Sequence, residues 1–147
     1  MGLSNTISGS RIYLDTNIFI YAIEGYPEYQ SILTSLFRLF DNGTYSAVTS
    51  ELTLAEVLIK PMKEDKKEIQ QLYEELLRPS EVLTICTIDR QILIDAAKIR
   101  ASSDAILLPD AIHLASAQNQ NCSSFITNDK RLRKMDSFQV VILSELL

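Results

Sequence analysis

The stretch RIYLDTNIFIYAIE, residues 11–24, decides the fold. Arg11-Ile12-Tyr13-Leu14 is an apolar run of strand length, after which Ile18, Phe19, Tyr21, Ala22 and Ile23 recur at helical spacing. Asp15-Thr16-Asn17 stands at the changeover. A carboxylate therefore sits at the carboxyl end of a strand, where open α/β sheets gather their ligands. Thr16 or Asn17 is placed to cap the helix by accepting its first free N–H groups. On this stretch alone, Asp15 serves a cap and a chemical site equally well.

The same grammar continues along the chain. Ile32, Leu36, Phe37, Leu39 and Phe40 read as a second helix, stopped at Asn42-Gly43, and Thr44–Val48 as a second strand. Thr49 or Ser50 is expected to cap a third helix that ends before Pro61. Residues Glu64–Arg78 predict an amphipathic helix with Ile69, Leu72, Tyr73, Leu76 and Leu77 as its stripe. Strands are expected at Val82–Cys86, Ser124–Thr127 and Gln139–Leu143. Helices are expected through Ile92–Ile99 and Pro109–Gln120, with a basic helical turn after Asp129. Strands alternating with helices predict a mostly parallel sheet of about five strands, covered on both faces. The expectation is one α/β domain over residues 11–147, with residues 1–10 as a loose, partly flexible lead-in.

Composition bounds the class. The 147 residues suit one domain, and 46% apolar with 22% charged residues is the balance of a soluble globular protein. No apolar run approaches the roughly 20 residues of a membrane span. The opening residues lack the apolar core of a signal peptide, and Cys86 and Cys122 fit no metal or redox spacing. A cytoplasmic protein with free thiols, and with no membrane partner, is the expectation.

The informative residues are acids. In SELTLAEVLIKP, Leu52, Ala55 and Ile59 share a helix face and Glu56 projects from its middle, a costly position unless the carboxylate is paired, protonated or on a metal. Asp110 follows Leu107-Leu108-Pro109 in the first turn of a helix, which alone is ordinary dipole chemistry. Asp129 ends SFITND and repeats the pattern of LDTN, a carboxylate at a strand exit with an Asn beside it. In a parallel sheet both exits lie on one edge, so Asp15 and Asp129 are expected as neighbours. Converging carboxylates repel, and a divalent cation on oxygen ligands resolves this, with Mg²⁺ or Mn²⁺ favoured over zinc. His113, the sole histidine, reads as a packing or hydrogen-bonding residue rather than a ligand. One histidine and no nucleophile–base pair leave a Ser or Cys hydrolase triad unsupported.

The segments LDTNIFIYAIEG, TSELTLAEVL, LPDAIHLASA and FITNDKRL, in that order, resemble the PIN-domain nucleases, and among them the VapC-type toxin ribonucleases of prokaryotic toxin–antitoxin pairs. The resemblance runs from about Arg11 to Leu143. It implies a three-layer α/β/α domain whose acidic cluster binds Mg²⁺ or Mn²⁺ and hydrolyses single-stranded RNA, leaving a 5′-phosphate. It makes Asp15, Glu56, Asp110 and Asp129 the catalytic and metal-site acids, with Asn17, Thr49, Thr127 and Asn128 as supporting polar residues. It further implies an antitoxin partner encoded beside the chain. A stretch of ten residues before the first strand is longer than the family usually has.

Net charge is −5, from 14 basic and 19 acidic residues, which runs against the basic track that single-stranded nucleic acid wants. Setting the four site acids aside leaves 15 acids against 14 bases, a net of −1. Lys130, Arg131, Arg133 and Lys134 cluster directly after Asp129, and Lys130 and Arg131 are the expected contacts to the RNA backbone. Apolar surplus on the first two helices predicts a homodimer. A haloacid-type phosphatase would want an acid two residues after Asp15, where Asn17 stands, and a receiver domain an acidic pair before the first strand. A housekeeping nuclease outside any toxin–antitoxin pair and a non-catalytic module that keeps the fold remain as alternatives.

Overall fold

In a computed structural model of the chain, which describes residues 3–133 and 135–147, five parallel strands form one sheet in the order β3-β2-β1-β4-β5. The strands are β1 (Arg11–Leu14), β2 (Ser46–Ser50), β3 (Leu83–Cys86), β4 (Ser124–Thr127) and β5 (Gln139–Ile142). Six helices among the described residues connect and cover them: α1 (Thr16–Glu24), α2 (Gln30–Asp41), α3 (Glu51–Lys63), α4 (Lys67–Leu76), α5 (Arg90–Ser102) and α6 (Leu108–Asn119). The result is the expected three-layer α/β/α architecture.

Strand alternation sorts the core into two layers. Ile12, Leu14, Ala47, Ile126 and Val141 face α1–α4, while Tyr13, Val48 and Phe125 face α5 and α6. Strand β1 is central, pairing with β2 through Ile12↔Ala47 and with β4 through Leu14↔Ile126. The order reverses at β1, so the crevice for ligands opens at the carboxyl ends of β1 and its neighbours. Residue 15 thus lies beside residue 127.

Several boundaries differ from expectation, each for a local reason. Helix α3 runs through Pro61 to Lys63. Only the final turn follows the proline, so one helical hydrogen bond is lost, and the buried ring adds to the core. Strand β2 extends to Ser50, which places Thr49 inside the sheet rather than at a cap. The Thr49 hydroxyl donates to Leu14 O (3.0 Å) and Ser50 makes no side-chain cap bond. Residues 3–10, expected as a loose lead-in, dock on the sheet: Ile7 is buried, Ser8 N donates to Gln139 Oε1 (2.8 Å), and Ser124 Oγ donates to Ser8 O (2.7 Å). Gly9 (φ +73°) is required there, because a Cβ would stand 2.1 Å from Ser123 Oγ. Met1 and Gly2 of that lead-in, and Lys134 of the basic cluster, lie outside the described residues.

Candidate active site

Asp15 is the N-cap of α1. Its Oδ1 accepts from Thr16 N (2.8 Å), and the residue is buried, because β1 delivers it directly into the gap between β2 and β4. Its Oδ2 accepts from the Thr127 hydroxyl (2.6 Å), and that same hydroxyl accepts from Asp129 N (3.0 Å). One threonine thus bridges the two strand-end aspartates. Thr16 is the second bridge: its hydroxyl donates to Glu56 Oε1 at 2.6 Å. Arg131 is the third. Its guanidinium forks onto Asp129 and reaches Asp110 Oδ2 at 3.4 Å. All four acids therefore belong to one hydrogen-bonded circuit, Glu56–Thr16–Asp15–Thr127–Asp129–Arg131–Asp110.

Glu56 arrives there by a different face from the one the sequence suggests. Ala55 and Ile59 are exposed, and α3 buries Thr53, Val57 and Pro61 instead. Glu56 sits at the margin of that face and is half-buried, with His113 Nε2 2.6 Å from its Oε1. His113 is almost fully buried, its Nδ1 lies 2.7 Å from the Tyr13 hydroxyl, and that hydroxyl donates to Ser50 Oγ (3.0 Å). Nε2, facing a carboxylate, carries a proton, and a second proton on Nδ1 makes the imidazolium form. Burial disfavours that form, but the hydrogen bond to Glu56 and the charges of Asp15, Glu56 and Asp110 outweigh it and raise the histidine above its ordinary range. Burial likewise pushes the Glu56 carboxyl up, and the bonds from His113 and Thr16 with the histidine charge hold it below its usual value.

Asp110 and Asp129 titrate in opposite directions. Burial, then the charges of Asp15 and Asp129, push Asp110 up against the pull of Arg131 and His113. Hydrogen bonds from the Arg131 side chain and backbone keep Asp129 low despite partial burial. Among the described residues, no three His, Cys, Asp or Glu side chains group closely enough to hold a metal ion. The donors nevertheless fit a hard divalent cation in kind: carboxylate oxygens that repel one another and already draw a cation between two of them. That cation is the guanidinium of Arg131.

The supporting residues divide. Thr127 sits inside the circuit. Asn128 stands beside it, its amide donating to the Tyr21 and Tyr29 hydroxyls (3.3 and 2.8 Å) and its Oδ1 accepting from Ser144 N. Asn17 Oδ1 is buried with no partner among the described residues. Thr49 joins β2 to β1 and α3, bonding Leu14 O and Thr53, and touches none of the acids. Lys130 is exposed beside the circuit, and Arg133 pairs with Glu145. Thr16, Tyr13 and the closeness of His113 were missed by reading the sequence. Asp110 and His113 are three apart on α6 and share a face, which was the available signal.

A PIN domain family model matches residues 12–137. No curated protein matches the chain in sequence. Among solved structures, a toxin–antitoxin complex from Klebsiella pneumoniae is similar at 25% identity and a TM-score of 0.66, over 90% of this chain and 97% of that one. VapBC2 from Rickettsia felis, bound to a DNA fragment from its promoter, is similar at 21% identity and a TM-score of 0.69, over 90% and 98%. VapC20 from Mycobacterium tuberculosis, a sarcin–ricin loop cleaving toxin, follows the same fold at 15% identity and a TM-score of 0.62, over 85% and 89%.

Proposed function

The chain belongs to the PIN domain family, which supports a nuclease, and from that premise we propose a divalent-metal-dependent endoribonuclease acting on single-stranded RNA. The observation that carries the proposal is the circuit through Glu56, Asp15, Asp129 and Asp110 at the switch point of the sheet. A bound Mg²⁺ or Mn²⁺ supplies activation of water and neutralises charge developing on the phosphoryl oxygens. Asp15, Glu56, Asp110 and Asp129 are the residues that would hold it. Thr16 and Thr127 fix the carboxylates from behind, and His113 holds Glu56 ionised and oriented. Lys130, and Arg131 once a cation releases it from Asp129 and Asp110, would contact the phosphate backbone. Water oxygen attacks phosphorus, the bond to the 3′-oxygen breaks, and that oxygen leaves with a proton, giving a 5′-phosphate and a 3′-hydroxyl.

Cleavage of a mixed single-stranded RNA is expected with Mg²⁺ or Mn²⁺ and none in excess EDTA; cleavage that persists unchanged in EDTA overturns the proposal. The wider setting we propose is a cytoplasmic toxin held by a cognate antitoxin protein, a reading favoured by the toxin–antitoxin structures it resembles. Expressed alone in a bacterial host, the chain should arrest growth, and Asp15→Asn should lift the arrest. Harmless expression of an active enzyme would instead favour a housekeeping nuclease.

A homodimer formed through α1 and α2 completes the proposal. On α1 and α2, Ile18, Phe19, Leu33, Leu36 and Phe40 are buried within the chain. Ile20 and Ile23 on α1 and Ile32, Phe37 and Leu39 on α2 are only partly buried, and they are the apolar surplus that a second copy would cover. Light scattering that finds a monomer at high protein concentration would remove the dimer.

A further inference from the structure

Three tyrosines form a ladder beside the acidic circuit. The ring of Tyr21, on α1, stacks on Tyr29 with centroids 4.6 Å apart, and the Tyr26 ring packs against Tyr21 at 4.8 Å, tilted by 51°. The hydroxyls of Tyr21 and Tyr29 converge on the side-chain amide of Asn128, the residue immediately before Asp129. Tyr21 and Tyr29 rest on the core along one edge, and Tyr26 ends the ladder, 37% exposed. The backbone under Tyr26 is fixed from both sides. Gly25 closes α1 in the left-handed conformation (φ 70°), Tyr26 N donates to Tyr21 O (3.1 Å), Tyr29 N donates to Tyr26 O (3.1 Å), and Pro27 follows.

One exposed tyrosine needs no explanation. Three rings in contact across a short, pinned turn, two of them tied by hydrogen bonds to Asn128 beside Asp129, are a pre-organised aromatic surface next to the proposed reaction centre. Proteins that take single-stranded nucleic acid combine a basic track along the backbone with such stacking surfaces, because every base has a face to stack. The chain's net charge of −5 makes that contribution the more necessary.

We propose that the Tyr29–Tyr21–Tyr26 ladder is a nucleobase platform, with Tyr26 as its open end, that stacks a base of the RNA strand flanking the cleaved phosphate. The proposal rests on the ribonuclease reading above. It explains why Asn128 lies between the tyrosines and Asp129: one side chain sets the platform and the strand end in a fixed relation.

The test is equilibrium binding with Ca²⁺ in place of Mg²⁺, using a short oligoadenylate RNA and an abasic ribose-phosphate oligomer of equal length. The chain has six tyrosines and no tryptophan, so quenching of tyrosine emission reports stacking directly. Tyr26→Ala and Tyr26→Leu should each weaken oligoadenylate binding by about tenfold and leave the abasic oligomer unaffected. Tyr26→Phe should bind like the parent chain. Equal losses on both probes, or no loss on either, would overturn the platform, as would variants that keep RNA affinity but lose self-association or a protein partner. If the parent chain neither binds nor cleaves RNA, the ribonuclease reading falls first and the platform with it; a parent that binds both probes equally defeats the platform alone.

Discussion

Strands β1 and β4 end on nearly the same letters, Leu-Asp-Thr-Asn and Thr-Asn-Asp, yet the two ends are built differently. Asp15 is buried and hydrogen-bonded by short groups with little freedom, the backbone N–H of Thr16 and the hydroxyl of Thr127, with the buried His113 Nε2 3.8 Å from its Oδ1. Asp129 is partly exposed, and its carboxylate is held mainly by the long side chain of Arg131, itself about half exposed. Even the neighbouring asparagines differ, since Asn128 satisfies three partners and Asn17 leaves a buried oxygen without one among the described residues. The centre of the sheet fixes one carboxylate permanently. Its neighbour is held by a half-exposed ion pair.

The comparison breaks most readily at Asp15. Asp15→Asn keeps an oxygen for Thr16 N, and its amide can donate to the Thr127 hydroxyl once that hydroxyl turns to accept, so the fold should persist, while the charge needed for a cation is lost. Cleavage is expected to fall by on the order of a hundredfold or more, and calorimetry should find weaker Mn²⁺ binding. Activity within a few-fold of the parent would reduce Asp15 to a cap.

Thr127→Val tests the bridge between the two ends at nearly constant volume. It removes the donor to Asp15 and the acceptor for Asp129 N, both at a site with no solvent exposure. Leaving such groups unpaired costs about 1–3 kcal/mol. Urea denaturation should show that loss, and an unchanged midpoint would mean the two strand ends are not coupled through this hydroxyl.

How much of this was legible follows from the range over which each signal acts. Asp15 and Asp129 were readable because strand and cap chemistry are local, and a parallel sheet puts both exits on one edge. Glu56 was chosen by an argument about Leu52, Ala55 and Ile59 that the fold does not use. It is placed instead by Thr16 and His113, 40 and 57 residues away. His113 was read as a hydrogen-bonding residue, which it is, but its partners on β1 and α3 have no trace in the local pattern. Pro61 misled because its cost depends on how much helix follows, and here one turn does. The docking of residues 3–10 depends on Gln139 and Ser124, more than a hundred residues on.

The smallest effect, and the sharpest for the comparison, is expected at Arg131. Its guanidinium stands between Asp129 and Asp110, where the carboxylates call for positive charge, so a divalent cation must compete with it and meets like-charge repulsion while it stays. Arg131→Met should therefore raise Mn²⁺ affinity in calorimetry, by about threefold given the exposure of the pair. Without metal, the Asp129 carboxyl is held low by Arg131 and should return towards its ordinary range in the variant, as a carbon-detected NMR titration would show. The sign follows from linkage: a depressed folded-state carboxyl stabilises above its unfolded value and loses that stabilisation as pH falls, so the variant should show a weaker acid-side decline. Asp15 has no contact with Arg131 in the circuit and should bind its threonines as before. If Mn²⁺ affinity instead falls, Arg131 orients Asp129 for the cation rather than standing in for it, and the two strand ends are equally fixed after all.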